Sequence, residues 1–117
     1  MTNTVMHWQL LSTDPDTAAA FYGTLFDWKV SAANGMGYRT VTTGGTLDGG
    51  IWPAPPGAAE AVQLYIEVDD IDDTLARAVE LGGSVIMPKQ VLPDGDTMAL
   101  ALDPLGRSFG LMVRAAA

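Results

Sequence analysis

The feature that most constrains this chain is that its pattern runs twice. His7 and Gln63, Asp14 and Asp70, Leu25 and Leu81, and Val30 and Ile86 are all related by one offset of 56 residues. Order is repeated rather than identity: a short apolar strand, an Asp-bearing helix start, a helix with an apolar stripe, then three more strands. Each copy reads β-α-β-β-β, and one copy alone cannot bury both faces of its sheet. Two copies side by side can form a curved eight-stranded mixed sheet with helices outside and a hollow inside. The expected fold is therefore α+β, a single domain over residues 1–117 built from a module at 5–56 and a module at 61–114.

The local signals agree with that frame. Val5 to Leu11 is apolar and runs into Ser12-Thr13-Asp14-Pro15, where Thr13 or Asp14 can cap a helix and Pro15 suits its first position. Ala18, Phe21, Tyr22 and Leu25 in the helix that follows, roughly 16–26, have the spacing of one buried face. A strand begins at Trp28, and others are expected near 37–43 and 47–52, with turns at Asn34-Gly35, Gly44-Gly45 and Gly49-Gly50. After Pro53-Ala54-Pro55-Pro56-Gly57 the order repeats: a strand at 62–68, caps in Asp69 to Asp73, a helix stripe of Ile71, Leu75, Ala78 and Val79, and a stop at Gly82-Gly83. Strands near 84–91, 96–102 and 107–114 are separated by Pro93-Asp94-Gly95 and Asp103-Pro104-Leu105-Gly106.

Charge and composition remove several function classes. The formal charge is −8 and the chain has no basic cluster, which argues against nucleic acid and against an anionic membrane surface. Without cysteine there is no disulfide, no thiolate nucleophile and no Cys-based zinc site. No run of 18 apolar residues exists, and the first residues lack a basic segment followed by an apolar one. The expectation is a cytoplasmic protein that partners neither membrane nor nucleic acid. The paired glycines are not followed by the residues of a phosphate loop, and no serine sits in a nucleophile elbow.

Several motifs, in order, carry a family likeness: His7-Trp8, Asp14-Pro15, Ala20-Phe21-Tyr22 leading to Leu25-Phe26-Asp27-Trp28, Gly49-Gly50-Ile51, Leu64 to Val68 running into Asp69-Asp70, and Asp103-Pro104-Leu105-Gly106. In this order and spacing the chain resembles, over nearly its whole length, the vicinal oxygen chelate superfamily of glyoxalases, epimerases, extradiol dioxygenases and bleomycin and fosfomycin resistance proteins. The resemblance implies a concave sheet face with four metal-ligand positions on the first, fourth, fifth and eighth strands. His7 matches the first and Gln63 the third. The second falls near Gly49-Gly50-Ile51-Trp52-Pro53, where Asp48 is the only nearby carboxylate and reads as a turn residue. The fourth is Gly110, which cannot ligate. No cofactor is therefore expected; were a divalent ion to bind, His7, Gln63 and Glu67 would be its ligands.

His7, the lone histidine, reads either as a hydrogen-bonded strand residue or as a ligand contact and general base, the one catalytic candidate. Gln9 and Leu11 share its face by alternation, and Trp8 and Leu10 face the helix. Gln63, Tyr65 and Glu67 alternate likewise. They form either a solvated face or, given the resemblance, part of the hollow's wall, with Glu67 nearer the rim. Arg39 is either a surface residue or an inward clamp for an anionic group. The acidic run at 69–73 reads as helix capping rather than a calcium loop. The expected ligand-binding set is His7, Gln9, Arg39, Trp52, Gln63, Tyr65, Ser108, Gly110 and Met112. The resemblance implies a homodimer whose partner molecule is a small, hydrophobic or aromatic compound, bound without a full metal site. The alternative it leaves is a metal-dependent lyase, isomerase or dioxygenase.

Overall fold

The computed structural model describes residues 3–115. Its elements are β1 (Val5–Ser12), α1 (Pro15–Phe26), β2 (Lys29–Val30), β3 (Arg39–Thr42), β4 (Gly49–Pro53), β5 (Ala61–Glu67), α2 (Ile71–Glu80), β6 (Ser84–Val91), β7 (Thr97–Leu102) and β8 (Ser108–Val113). This is the doubled β-α-β-β-β order read from the sequence. The strands form a mixed sheet of eight in the order β2-β3-β4-β1-β5-β8-β7-β6, an α+β fold as expected. The chain divides into two compact units, His7–Gln63 and the segment ending at Met6 together with the chain from Leu64 onward.

In the His7–Gln63 unit, β1 runs parallel to β4, with Trp8 opposite Gly49 and Gln9 opposite Gly50. β4, β3 and β2 form an antiparallel meander. Alternation then sorts the side chains. Trp8, Val41 and Ile51 face α1, and Val41 and Ile51 are almost fully buried there. Gln9, Leu11, Gly50 and Trp52 lie on the opposite face. Gly49 is a packing requirement, because a Cβ there would lie 2.2 Å from ring atoms of Trp8. Gly49 and Gly50 are therefore strand residues, not the turn their pairing suggested; the turn before β4 carries Gly44 at φ +91°.

Asp14 caps α1, accepting from Thr17 N–H, and Pro15 is the first helical residue. The helix differs from expectation in what it buries. Tyr22 stacks on Trp28, which in turn meets Phe26 and Trp8, so the Ala18–Tyr22 row is the one turned to the sheet. Phe21 and Leu25 lie one position round the helix and are each 57% exposed.

In the other unit, β5 runs parallel to β8, with Tyr65 opposite Gly110, and β8, β7 and β6 are antiparallel. Glu67 N–H donates to Thr4 O within this unit. Its core is Val68, Ile71, Leu75, Ala99, Ala101 and Leu111, with Ile66, Phe109 and Val113 packed against it. Only Ile71 and Leu75 of α2 are buried; Val79 stays exposed. Asp70 caps the helix through Asp73 N–H, and Asp72 pairs with Lys89, so the acidic run serves a helix start and a surface ion pair. Gly82, at φ +99°, closes the helix as Gly83 N–H reaches Ala78 O.

Candidate functional site

On the His7–Gln63 unit, the sheet face away from α1 carries a polar cluster. β1 places His7, Gln9 and Leu11 there by alternation, β4 places Gly50 and Trp52, and the first residues of β5 bring Gln63. Gln9 Nε2 donates to Gln63 Oε1 at 2.8 Å, and both amides are at most 2% exposed. The two glutamines named from the sequence thus meet directly, and neither is a solvated surface residue.

His7 has a partner that sequence reasoning missed. Its Nε2 lies 2.5 Å from the Tyr38 hydroxyl. Tyr38 precedes β3 and sends its ring across β4. It fits because residue 50 is glycine: a Cβ there would sit 1.8 Å from the Tyr38 hydroxyl oxygen. A glycine inside a strand, opposite a polar residue, was the available signal. Both His7 and Tyr38 are partly exposed. Trp52, on the same face, donates its indole N–H to Met36 O at 3.3 Å.

Arg39 is not part of this face. It pairs with Ile51 in register, which turns it toward α1, where its guanidinium forms an ion pair with Asp16. Its Nε is buried without a hydrogen-bond partner. An inward clamp from β3 is therefore overturned by strand parity.

The other unit repeats the glycine-under-tyrosine arrangement. A Cβ at Gly110 would lie 2.6 Å from the Tyr65 ring, which is 2% exposed. Ser108, Gly110 and Met112 alternate on the same face of β8 as Tyr65 and Glu67 on β5. The Glu67 carboxylate forms an ion pair with Arg114 at 3.3 Å.

The donor chemistry fits a hard divalent cation poorly. The strand positions that would need anionic donors are Gly50 and Gly110, each covered by a tyrosine ring. Asp48 accepts from Thr43 N–H at 3.0 Å, as a turn residue does. No group of three His, Asp or Glu is gathered among the described residues. The carboxyls held below their usual range are a helix cap, a turn residue and a loop residue instead. Asp14 is lowered chiefly by the Thr17 hydroxyl, Glu60 by the Thr13 hydroxyl and Asp103 by Arg107 N–H.

On the helix side of the same unit as His7 is an open concavity of about 270 Å³, lined by Leu10, Ala18, Tyr22, Ala61 and Val62 among others. Ser12 and Glu60 line it as well, and Val62 is 71% exposed.

Comparison with known proteins agrees with the fold. The model of the glyoxalase-like domain family matches residues 6–112. The chain is 36% identical over 111 residues to CFP32 of Mycobacterium bovis, which carries the name of a glyoxylase; the match covers 87% of this chain but 42% of that protein. The chain thus spans less than half the length of this curated relative. Among solved structures, a glyoxalase/bleomycin resistance protein/dioxygenase superfamily member from Vibrio splendidus 12B01 superposes with a TM-score of 0.67 at 17% identity, covering 97% of this chain and 100% of that one. Methylmalonyl-CoA epimerase from Mycobacterium tuberculosis superposes with a TM-score of 0.63 at 15% identity, covering 95% of this chain and 87% of that one. At such identities the structural likeness is one of fold, whereas the match to the family model extends over nearly the whole sequence: this chain belongs to the glyoxalase-like domain family.

Proposed function

We propose that this protein binds a small hydrophobic or aromatic molecule on the sheet face that carries His7, without a complete metal site. One observation carries the reading: the donors on that face are engaged with one another, His7 with Tyr38 and Gln9 with Gln63, rather than converging on a common point. The partly exposed imidazole and phenol would meet an organic ligand by hydrogen bonding and Trp52 on the same face would add apolar surface, while the buried Gln9–Gln63 amide pair holds β1 and the start of β5 together. In the other unit, Tyr65, Ser108, Gly110 and Met112 offer a small-residue and aromatic face of the same character.

The test combines elemental analysis with thermal shift. The protein purified without chelator is expected to hold far less than one equivalent of divalent metal, and EDTA is expected to leave its melting temperature unchanged. A screen of aromatic compounds should find stabilisers of the wild type that do not stabilise His7→Ala. Stoichiometric metal with chelator sensitivity would instead establish a metal-dependent lyase, isomerase or dioxygenase and overturn the proposal.

The same reading includes a cytoplasmic homodimer. Phe21 and Leu25 on α1 and Val62 at the start of β5 are large apolar residues left exposed, and Val62 lines the open concavity. A second copy is the occupant we assign to them, since exposed apolar side chains on one unit can meet their own counterparts across a two-fold axis.

A further inference from the structure

We propose that the open concavity on the helix side of the His7–Gln63 unit binds a small organic ammonium ion, its apolar body on Leu10, Ala18 and Tyr22 and its charged nitrogen at Glu60. None of His7, Gln9, Tyr38 or Gln63 lines this concavity, so the site does not rest on the function proposed for their face. The hollow follows from the row of α1 that is turned to the sheet. Tyr22 is large and fixed by stacking on Trp28, whereas Ala18, one turn earlier on the same row, is small and leaves space over Leu10. Leu10, Ala18 and Tyr22 are each half-buried, so the apolar floor can be reached from solvent. A volume of about 270 Å³ suits one ring with a short chain rather than a larger ligand.

Charge narrows the class. Glu60 is an exposed carboxylate at the wall of the concavity, anchored by the Thr13 hydroxyl and the Thr13 N–H. These donors, with a smaller contribution from Ser12, hold it below the usual carboxylate range, and it is ionised at neutral pH. A carboxylate has about four acceptor positions, so a further donor can join them. Asp14 adds a second negative charge close enough to act on Glu60. Neither carboxylate is in an ion pair among the described residues. The positive end of α1 is already answered by Asp14 at its cap. On a chain of formal charge −8, an apolar hollow beside two uncompensated carboxylates favours a cation over a neutral or anionic molecule of the same shape.

Three probes of one shape test this by backbone amide resonances: phenethylammonium, neutral 2-phenylethanol and anionic 3-phenylpropionate. In low salt the ammonium should bind most tightly and the anion least, with Leu10, Ala18 and Val62 among the shifted amides, and added salt should narrow the differences. Glu60→Gln keeps an oxygen for Thr13 and removes the charge. It should weaken phenethylammonium about three-fold, the worth of one exposed ion pair, and leave 2-phenylethanol unchanged. Ala18→Leu fills the hollow and should weaken all three. Melting curves confirm that each variant is folded; should Ala18→Leu fail to fold, Glu60→Gln decides. Undiminished ammonium binding to folded Glu60→Gln, equal binding of the three probes to the wild type, or no shift at these amides would each overturn the proposal. Val62 also belongs to the stripe assigned to a second copy, so the titration is repeated with Phe21→Ser and Leu25→Ser combined. Undiminished binding there supports a site within one chain, and its loss would overturn that.

Discussion

A primary amide that is 1–2% exposed must find its partners inside the protein, and Gln9 and Gln63 find each other. Replacing either by leucine leaves the other amide buried with one bond lost, at a cost of about 1–3 kcal/mol. Replacing both removes the orphan. The double variant should therefore be more stable than the sum of the single losses requires, a coupling readable in a denaturant double-mutant cycle. Additive losses would mean that the two amides are satisfied independently. At this scale, what could be read from the sequence depended on strand length. β1 and β5 are long enough for alternation to place His7, Gln9, Gln63 and Tyr65 on defined faces. The four residues of β3, Arg39 to Thr42, have no such length, and Arg39 fell on the face opposite to the one considered. Tyr38 was hidden for another reason. Its position before β3 says nothing of a ring that crosses a neighbouring strand, and only the glycine beneath it marks the place.

Elements were the most legible level, because their boundaries are set by local chemistry that the sequence states outright. Asp14 and Asp70 start the two helices, and Gly82 ends the second. The turn between β7 and β8 is held by Asp103, whose carboxylate accepts from Leu105 and Arg107 N–H. Asp103, Asp14 and Glu60 all have carboxyls lowered by such bonds. A carboxyl lowered in the folded state contributes stability that is present above its unfolded pKa and is lost as pH falls through its folded pKa. The melting temperature should therefore hold from neutral pH into mild acid and then decline below about pH 4, the ordinary carboxylate range. Asp103→Asn keeps an acceptor in the turn without the charge. It should melt lower at neutral pH and lose less on acidification, as followed by circular dichroism. An unchanged acid slope in Asp103→Asn would take this turn out of the acid response. Less legible was which stripe of α1 faces inward, since Phe21, Tyr22, Leu25 and Phe26 are apolar on more than one side and only the stacking of Tyr22 on Trp28 selects among them.

For the whole molecule, the exposed stripe and the net charge act in opposite directions. Phe21, Leu25 and Val62 favour association by removing apolar surface from water, at roughly 25 cal/mol per Å² buried. A formal charge of −8 on each chain opposes it, and that repulsion is screened over about 10 Å at 0.1 M salt but over about 30 Å at 0.01 M. A dimer held by this stripe should therefore tighten as salt is raised, the reverse of an interface held by ion pairs. Sedimentation equilibrium in low and moderate salt tests the sign directly. Phe21→Ser with Leu25→Ser should give a monomer at both salt concentrations while retaining the wild-type far-ultraviolet spectrum, since neither side chain is buried in the chain itself. A dimer that persists in that double variant would place the contact elsewhere, and one that loosens with salt would mean that charge complementarity, not this apolar stripe, joins the copies.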